Sequence, residues 1–259
     1  MMSYAAFSVT AMALELPAAY EPIILEQVRD IREYTANLAR DGANEGTLVW
    51  ARAVESHRGR HGSNWHCSVD DLHCAIVLQP EFPREQYGLM LAVSVIALGN
   101  ALATHMSPMS ALVYGWPNNV SLAGQKLAAS WLDAGSTEHG PWLVVSSCVN
   151  IQHSPDDLSF NAMSVREAEG STELTAEVLL DAYCRQFITV LNEWAEKGTK
   201  TLLRRWQMRM QDEGSEIRTG CRNDEITRLV GVDGHGNAIT RNTDGQKLTL
   251  KLGDTVESS

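Results

Sequence analysis

Residues 114–132 read YGWPNNVSLAGQKLAASWL. Trp116-Pro117-Asn118-Asn119 is a turn by composition: proline fixes φ, and asparagine side chains bond the local backbone. Two short apolar runs follow, 120–122 and 126–132, on either side of Ala123-Gly124. Runs of this length between turn signals read as strands. Lys126 opens the second run, which places its stem near the core. An ammonium there costs desolvation unless it meets an anion.

Working outward, 47–54 (TLVWARAV) alternates as a strand, and 72–78 (LHCAIVL) reads as another, closed by Pro80 and Pro83. Between them lies SHRGRHGSN (56–64), basic and glycine-rich. Its glycines permit close backbone approach to a ligand, and its arginines present fork donors suited to phosphate or carboxylate. A solvated basic turn has the same composition, so this loop alone decides nothing. A helix is expected from about 84 to 105. Its most apolar part, 89–103, is interrupted by Ser94, Gly99 and Asn100, and is too short to span a bilayer. It reads as a buried core helix. Near the start, Leu25, Val28, Ile31 and Leu38 give a partial helical stripe that Asp41-Gly42 ends.

Downstream, 141–150 is a buried strand and 152–172 a loop. An amphipathic helix is expected over 172–196 and a second over 200–212. After Gly214, short strands are broken by Asp233-Gly234, His235-Gly236 and Asp244-Gly245, which mark hairpin turns. The expected fold class is α+β, because strands and helices do not alternate regularly. The expected organisation is a large domain over 1–214 and a small β-domain over 215–259. The latter is too small for an ample core of its own and should dock on the former.

Composition limits the function classes. The 259 residues carry a formal net charge of −11, with 44% hydrophobic and 20% charged residues. Global disorder is excluded, and an acidic chain repels phosphate backbones, so no nucleic-acid partner is expected. No membrane partner is expected either. Five cysteines at scattered spacings, without CxxC, argue against a zinc ribbon or thioredoxin chemistry and fit a reducing, cytoplasmic setting. The N-terminus lacks the basic and long apolar regions of a signal peptide. Only five of the 21 basic residues are lysines, and Lys126 alone falls within the first 196 residues. His66-Cys67 and His73-Cys74 form a repeated pair that reads as core rather than metal-binding. Asp70-Asp71 and Asp156-Asp157 read as solvated loops. P-loop, GxSxG, HExxH and dinucleotide-binding fingerprints are absent.

Taken in order, these stretches resemble the catalytic module of the biotin–protein ligases, within the biotin/lipoate protein ligase superfamily. The family loop GRGRxGRxW reads HRGRHGSNW here, matching at Arg58, Gly59, Arg60, Gly62 and Trp65. The family KWPND reads GWPNN, matching at Trp116, Pro117 and Asn118, with Gly115 and Asn119 in place of the family Lys and Asp. The family K-[LV]-[AG]-G-I-L strand reads KLAASWL from Lys126. The G-x-G-x-N strand reads SSCVN and keeps Asn150. Residues 202–206 (LLRRW) resemble the late family helix, and 231–233 (GVD) its C-terminal β-domain. The resemblance covers about residues 45–252.

The resemblance implies a mixed-sheet catalytic domain with a small C-terminal SH3-like β-domain. It implies an ATP-dependent ligase that forms an acyl-adenylate, with biotin the default acid, and passes the acyl group to a lysine of an acceptor protein. ATP and Mg²⁺ are the implied cofactors. Catalytic roles fall on Lys126 and Arg60. Substrate and nucleotide binding fall on Arg58, Gly59, Arg60, His61, Gly62, Trp65, Trp116, Asn118, Asn119, Lys126 and Asn150, and no protein-bound metal is implied. The chain departs from the family where the acid is recognised. The STN-type segment that binds the ureido ring falls at 30–32, here Asp-Ile-Arg, and Val54 stands where a Gln belongs. A lipoate or octanoate ligase, or a non-catalytic small-molecule or partner-binding module on the same fold, are the alternatives. The DNA-binding domain of repressor-type members has no counterpart, so no operator binding is expected.

Overall fold

The computed structural model describes residues 14–55, 57–58, 64–65, 69–154, 161–170, 173–218 and 226–258. Its centre is an eight-stranded mixed sheet. The strands are β1 (Glu21–Val28), β2 (Thr47–Val54), β5 (Leu72–Leu78), β6 (Leu112–Gly115), β7 (Asn119–Leu122), β8 (Gln125–Thr137), β9 (Gly140–Val149) and β14 (Val256–Ser258). Their order is β1-β2-β5-β9-β8-β7-β6, and β14 joins β8 in parallel at Leu132–Ala134. β1 and β2 pair in parallel, while every other neighbour on the main path is antiparallel. A separate two-stranded ribbon, β3 (His57–Arg58) and β4 (Asn64–Trp65), lies between β2 and β5 in sequence.

The helices are α1 (Ile31–Arg40), α2 (Leu89–Ala103), α3 (Val165–Glu169), α4 (Ala176–Lys197) and α5 (Thr199–Gln207). α1 packs on one face of the sheet, against Val49, Ala51, Ala75, Val77 and Val144. α2 and α4 pack on the other, against Leu48, Trp50, Ile76 and Val145. α2 is the expected core helix, with thirteen of its fifteen residues buried. On its side of the sheet, Ser94 from α2 meets Ser130 from β8 at 2.7 Å and Tyr183 from α4 at 2.8 Å, and Ser147 from β9 lies 3.0 Å from both Ser130 and Tyr183. Burial pushes the Tyr183 phenol up, so the cluster stays neutral. Each hydroxyl has a partner, so four elements are locked in register without an orphaned polar group.

The expected strands 47–54 and 72–78 occur residue for residue. The N-terminal helix is a correction. Leu25 and Val28 belong to β1, and α1 starts only at Ile31, where the Asp30 carboxylate accepts from the N–H groups of Arg32 (2.9 Å) and Glu33 (3.2 Å). Within 152–172, read as loop, a capping box between Ser164 and Glu167 starts the short α3. Asp71, expected in solvent, is buried and accepts from the N–H groups of Ile151 (2.7 Å) and Gln152 (3.0 Å). His73 and Cys74 are both buried in β5, as expected of core residues. His66-Cys67 and Asp156-Asp157 lie outside the described residues.

The second sheet, β10 (Glu216–Arg218), β11 (Ile226–Val232), β12 (Ala238–Arg241) and β13 (Lys247–Leu250), is an antiparallel meander. Ile217, Leu229, Ala238 and Leu252 share the core of the large sheet, so the small sheet is docked on it.

Candidate active site

Lys126 stands at the second position of β8, half-buried. Its peptide is held from three sides. The Lys126 N–H donates to Asn161 O (3.0 Å), and its carbonyl accepts from Met163 N–H (3.0 Å) and from the Asn150 carboxamide (Nδ2, 3.4 Å). The same Nδ2 donates to Met163 O at 3.2 Å. Asn150 thus fastens the 161–163 segment along the base of β8. Its Oδ1 is buried and has no hydrogen-bond partner among the described residues. An acceptor left open beside a lysine fits a ligand that brings donors and negative charge.

Asn118 and Asn119 follow the cis Trp116–Pro117 bond. Asn118 Nδ2 donates to Ser130 O at 2.7 Å, and Asn118 O accepts from Ser130 N–H at 2.9 Å, pinning the turn to β8. Asn119 pairs across the strands with Gly115. A Cβ at Gly115 would collide with the Asn119 carboxamide. The two departures from KWPND are therefore coupled in this chain: the Asn119 carboxamide lies where a side chain at 115 would stand. Trp116 is buried, and its indole N–H donates to Gly236 O at 2.9 Å, tying the site's turn to the small sheet. Asp233 braces that second turn, accepting from His235 N–H (2.8 Å) and from Asn237 through its N–H (3.0 Å) and side chain (2.9 Å). Burial raises the Asp233 carboxyl, but these bonds outweigh it and hold the group below its usual range. Trp116→Phe keeps one aromatic ring but removes the bond to Gly236 and part of the buried indole. It is expected to lower stability by at least about 1 kcal/mol in denaturant melts.

Arg58 and Trp65 sit on the β3–β4 ribbon, where His57 pairs with Trp65 and Arg58 with Asn64. Gly59, Arg60, His61 and Gly62 lie outside the described residues. A cavity of about 450 Å³ opens where the chain enters and leaves this segment, lined in part by Trp50, Arg52, Asp70, Asp71 and Gln152. The Arg52 guanidinium lies 4.9 Å over the Trp50 ring and meets Glu26 (3.4 Å) and Glu177 (3.3 Å).

Sequence reasoning missed what became of the acid-recognition positions. Asp30 caps α1, and Ile31 is fully buried. Arg32 forms a bidentate pair with Asp133 of β8, Nε to Oδ2 at 2.9 Å and Nη2 to Oδ1 at 2.8 Å, with both residues buried. Val54 packs in the core beneath α1. The first two roles had local signals, an N-cap and a helical apolar position. The ion pair spans 101 residues and had none.

A mixed sheet with helices on both faces is the fold of the biotin protein ligase catalytic module. The chain superposes on a biotin protein ligase-like protein of unknown function from Silicibacter sp. TM1040 with a TM-score of 0.76, at 20% identity, covering 94% of this chain and 99% of that one. On the Aquifex aeolicus biotin protein ligase, solved with biotin and ATP, the TM-score is 0.69 at 21% identity, covering 89% and 96%. A biotin–[acetyl-CoA-carboxylase] ligase of Paracoccus denitrificans is 26% identical over 214 residues, 80% of this chain and 89% of that protein. The model of the biotin/lipoate A/B protein ligase family matches residues 16–208, and the chain belongs to that family.

Proposed function

We propose that the protein is an ATP-dependent ligase that activates a carboxylic acid as its adenylate and transfers the acyl group to a lysine of an acceptor protein. The observation that carries this reading is the clamp of Asn150 on the peptide of Lys126, with a buried acceptor left open beside it. Both residues are those the family motifs retain.

The chemistry asks for such a site. A carboxylate oxygen attacks the α-phosphorus of ATP, the new O–P bond forms, and the bond to the β-phosphate breaks to release pyrophosphate. Two anions must meet, so a fixed cation is needed where charge gathers. Lys126 supplies it as a point charge between carboxylate and α-phosphate, and Arg58 and Arg60 supply fork donors from the glycine-rich segment. Mg²⁺ would enter with ATP, since no cluster of His, Cys, Asp or Glu among the described residues could hold it, and would offset part of the phosphate charge. The acceptor amine then attacks the acyl carbon, AMP leaves, and the amine gives up a proton. Asn118 holds the turn that carries the site against β8, and Asn119 fills the space over Gly115.

Biotin is the acid named for the Paracoccus and Aquifex relatives and is the default to test. The purified protein is expected to exchange labelled pyrophosphate into ATP only when a carboxylic acid is present. Biotin, lipoate, octanoate and shorter acids form the panel. A nucleotide-independent rise in melting temperature with an acid, and no exchange, would instead make the protein a binding module.

A further inference from the structure

The large sheet has two lateral edges. At one, β6 is continued by the 209–211 segment: the Tyr114 N–H donates to Arg209 O (2.6 Å), and the Gln211 N–H donates to Tyr114 O (2.8 Å). At the other, β1 pairs only with β2 among the described residues, and Val28 alone of its residues is buried. An open edge of this kind presents unpaired N–H and C=O groups to another chain. The pairing senses place the C-terminal ends of β1 and β2 at the same end of the sheet as Lys126, the second residue of β8.

The cavity of about 450 Å³ opens beside that edge. Glu26 of β1 and Glu177 of α4 line it, and both hold Arg52 of β2 (3.4 and 3.3 Å), so its wall joins the edge strand to the helix. With Asp70 and Asp71, the described residues of the wall bring four carboxylates against one guanidinium, a balance that favours a cation. Asp71 is engaged by the N–H groups of Ile151 and Gln152, while Glu26 and Asp70 are exposed. Trp50 gives an independent sign of an occupant. It lines the cavity, is 2% exposed, and its indole N–H has no hydrogen-bond partner among the described residues. A buried donor left open at a cavity wall fits a cavity that is filled in use. Large apolar side chains stand around the same place. Val69 lines the cavity at 61% exposed, Val178 follows Glu177 at 45%, and Ile24 precedes Glu26 by two residues at 39%. Exposed apolar groups gathered around carboxylates fit a basic segment of a protein better than a small free cation.

We propose that the β1 edge and this cavity dock the acceptor protein. An extended segment of the acceptor adds a strand to the sheet, with an apolar side chain beside Ile24 and a lysine or arginine side chain beside Glu26. This rests on the adenylation reading above, which supplies the acceptor. Ile24 and Glu26 are two residues apart in one strand and so share a face, the face on which the cavity opens. A segment paired to β1 sets its own alternate side chains beside them, and such cross-strand pairs are how strand addition selects sequence. The basic anchor enters the carboxylate-lined wall and is distinct from the lysine that accepts the acyl group.

The test uses the full chain and two synthetic peptides, acetylated and amidated. The first alternates valine and threonine, with one arginine two positions after a valine and a single lysine near its end. The second has glutamate for the arginine. Dissociation constants are read from the fluorescence anisotropy of labelled peptide, and acid-dependent pyrophosphate exchange is measured without peptide. Wild type is expected to bind the arginine peptide about tenfold more tightly than the glutamate peptide, and acyl transfer to the peptide's lysine should follow the same order. Glu26→Lys is expected to reverse that preference, also by about tenfold, because the charges are then exchanged across the contact. Ile24→Ser is expected to weaken both peptides about fivefold and keeps the test open if the lysine variant fails to fold. Exchange needs no acceptor and should be the same in all three proteins. Wild type that binds neither peptide, or a preference that Glu26→Lys leaves in place, would overturn the docking surface while exchange keeps adenylation standing. A wild type that is dimeric in solution, and monomeric as Ile24→Ser, would give the edge to a second copy and overturn it as well. No exchange with any acid would overturn the adenylation reading and the acceptor assignment with it.

Discussion

Lys126→Ala is expected to reduce acid-dependent pyrophosphate exchange by about 10²–10³-fold, the range seen when one preorganised charge-stabilising group is removed from an active site. The expectation follows from what holds the residue in place. The hydrogen bonds from Asn161, Met163 and Asn150 that fasten this position run to the backbone of Lys126. Alanine keeps all of them, so β8 should keep its register and the melting curve should overlay that of the wild type. Lys126→Arg keeps the charge but spreads it over a planar fork on a longer stem. A partial rescue is expected, since a fork cannot reproduce a compact ammonium between two anionic groups. Activity retained in Lys126→Ala would remove the residue from the mechanism. A lost fold in Lys126→Ala would show that the side chain supports the sheet instead.

What the sequence made legible depended on how locally each feature is determined. β5 was readable to the residue because it is a short apolar run between turn signals, buried along its whole length, and β2 because its mostly buried residues alternate. β1 was not. Glu21–Val28 is an edge strand with only Val28 buried, and its partner in the parallel pair begins at Thr47, so its apolar residues imitated part of a helix. The three-residue β14 pairs with β8 from more than a hundred residues away, and nothing local in Val256–Ser258 announces it. At the site, Lys126 and Asn150 were legible because each opens or closes a buried strand within an ordered set of motifs. The structure adds that one carboxamide joins them. The changes at 115 and 119 looked like two independent losses, yet cross-strand pairing couples them, because the Asn119 carboxamide occupies the space a side chain at 115 would need. Asp71 was misread because an Asp-Asp pair looks solvated, while its partners, the N–H groups of Ile151 and Gln152, lie about eighty residues on.

Asp133→Ala should be the most damaging single change outside the hydrophobic core. Its loss leaves the Arg32 guanidinium buried at the N-terminus of α1 without the carboxylate that meets two of its nitrogens. Breaking one side of a buried ion pair costs about 3–5 kcal/mol, because the remaining charge stays desolvated and loses the carboxylate that balanced it. For a chain of this size that corresponds to a fall in melting temperature of roughly 10 °C. The double variant Arg32→Met, Asp133→Leu removes both charges and keeps apolar volume, so it should recover most of the loss. The ordering of the three proteins separates a desolvated pair from a surface one: a solvated pair would show losses under about 1 kcal/mol, no recovery in the double variant, and clear weakening in high salt. The pair also joins α1 to the same strand that carries Lys126, so its loss should be felt at both the helix and the site strand.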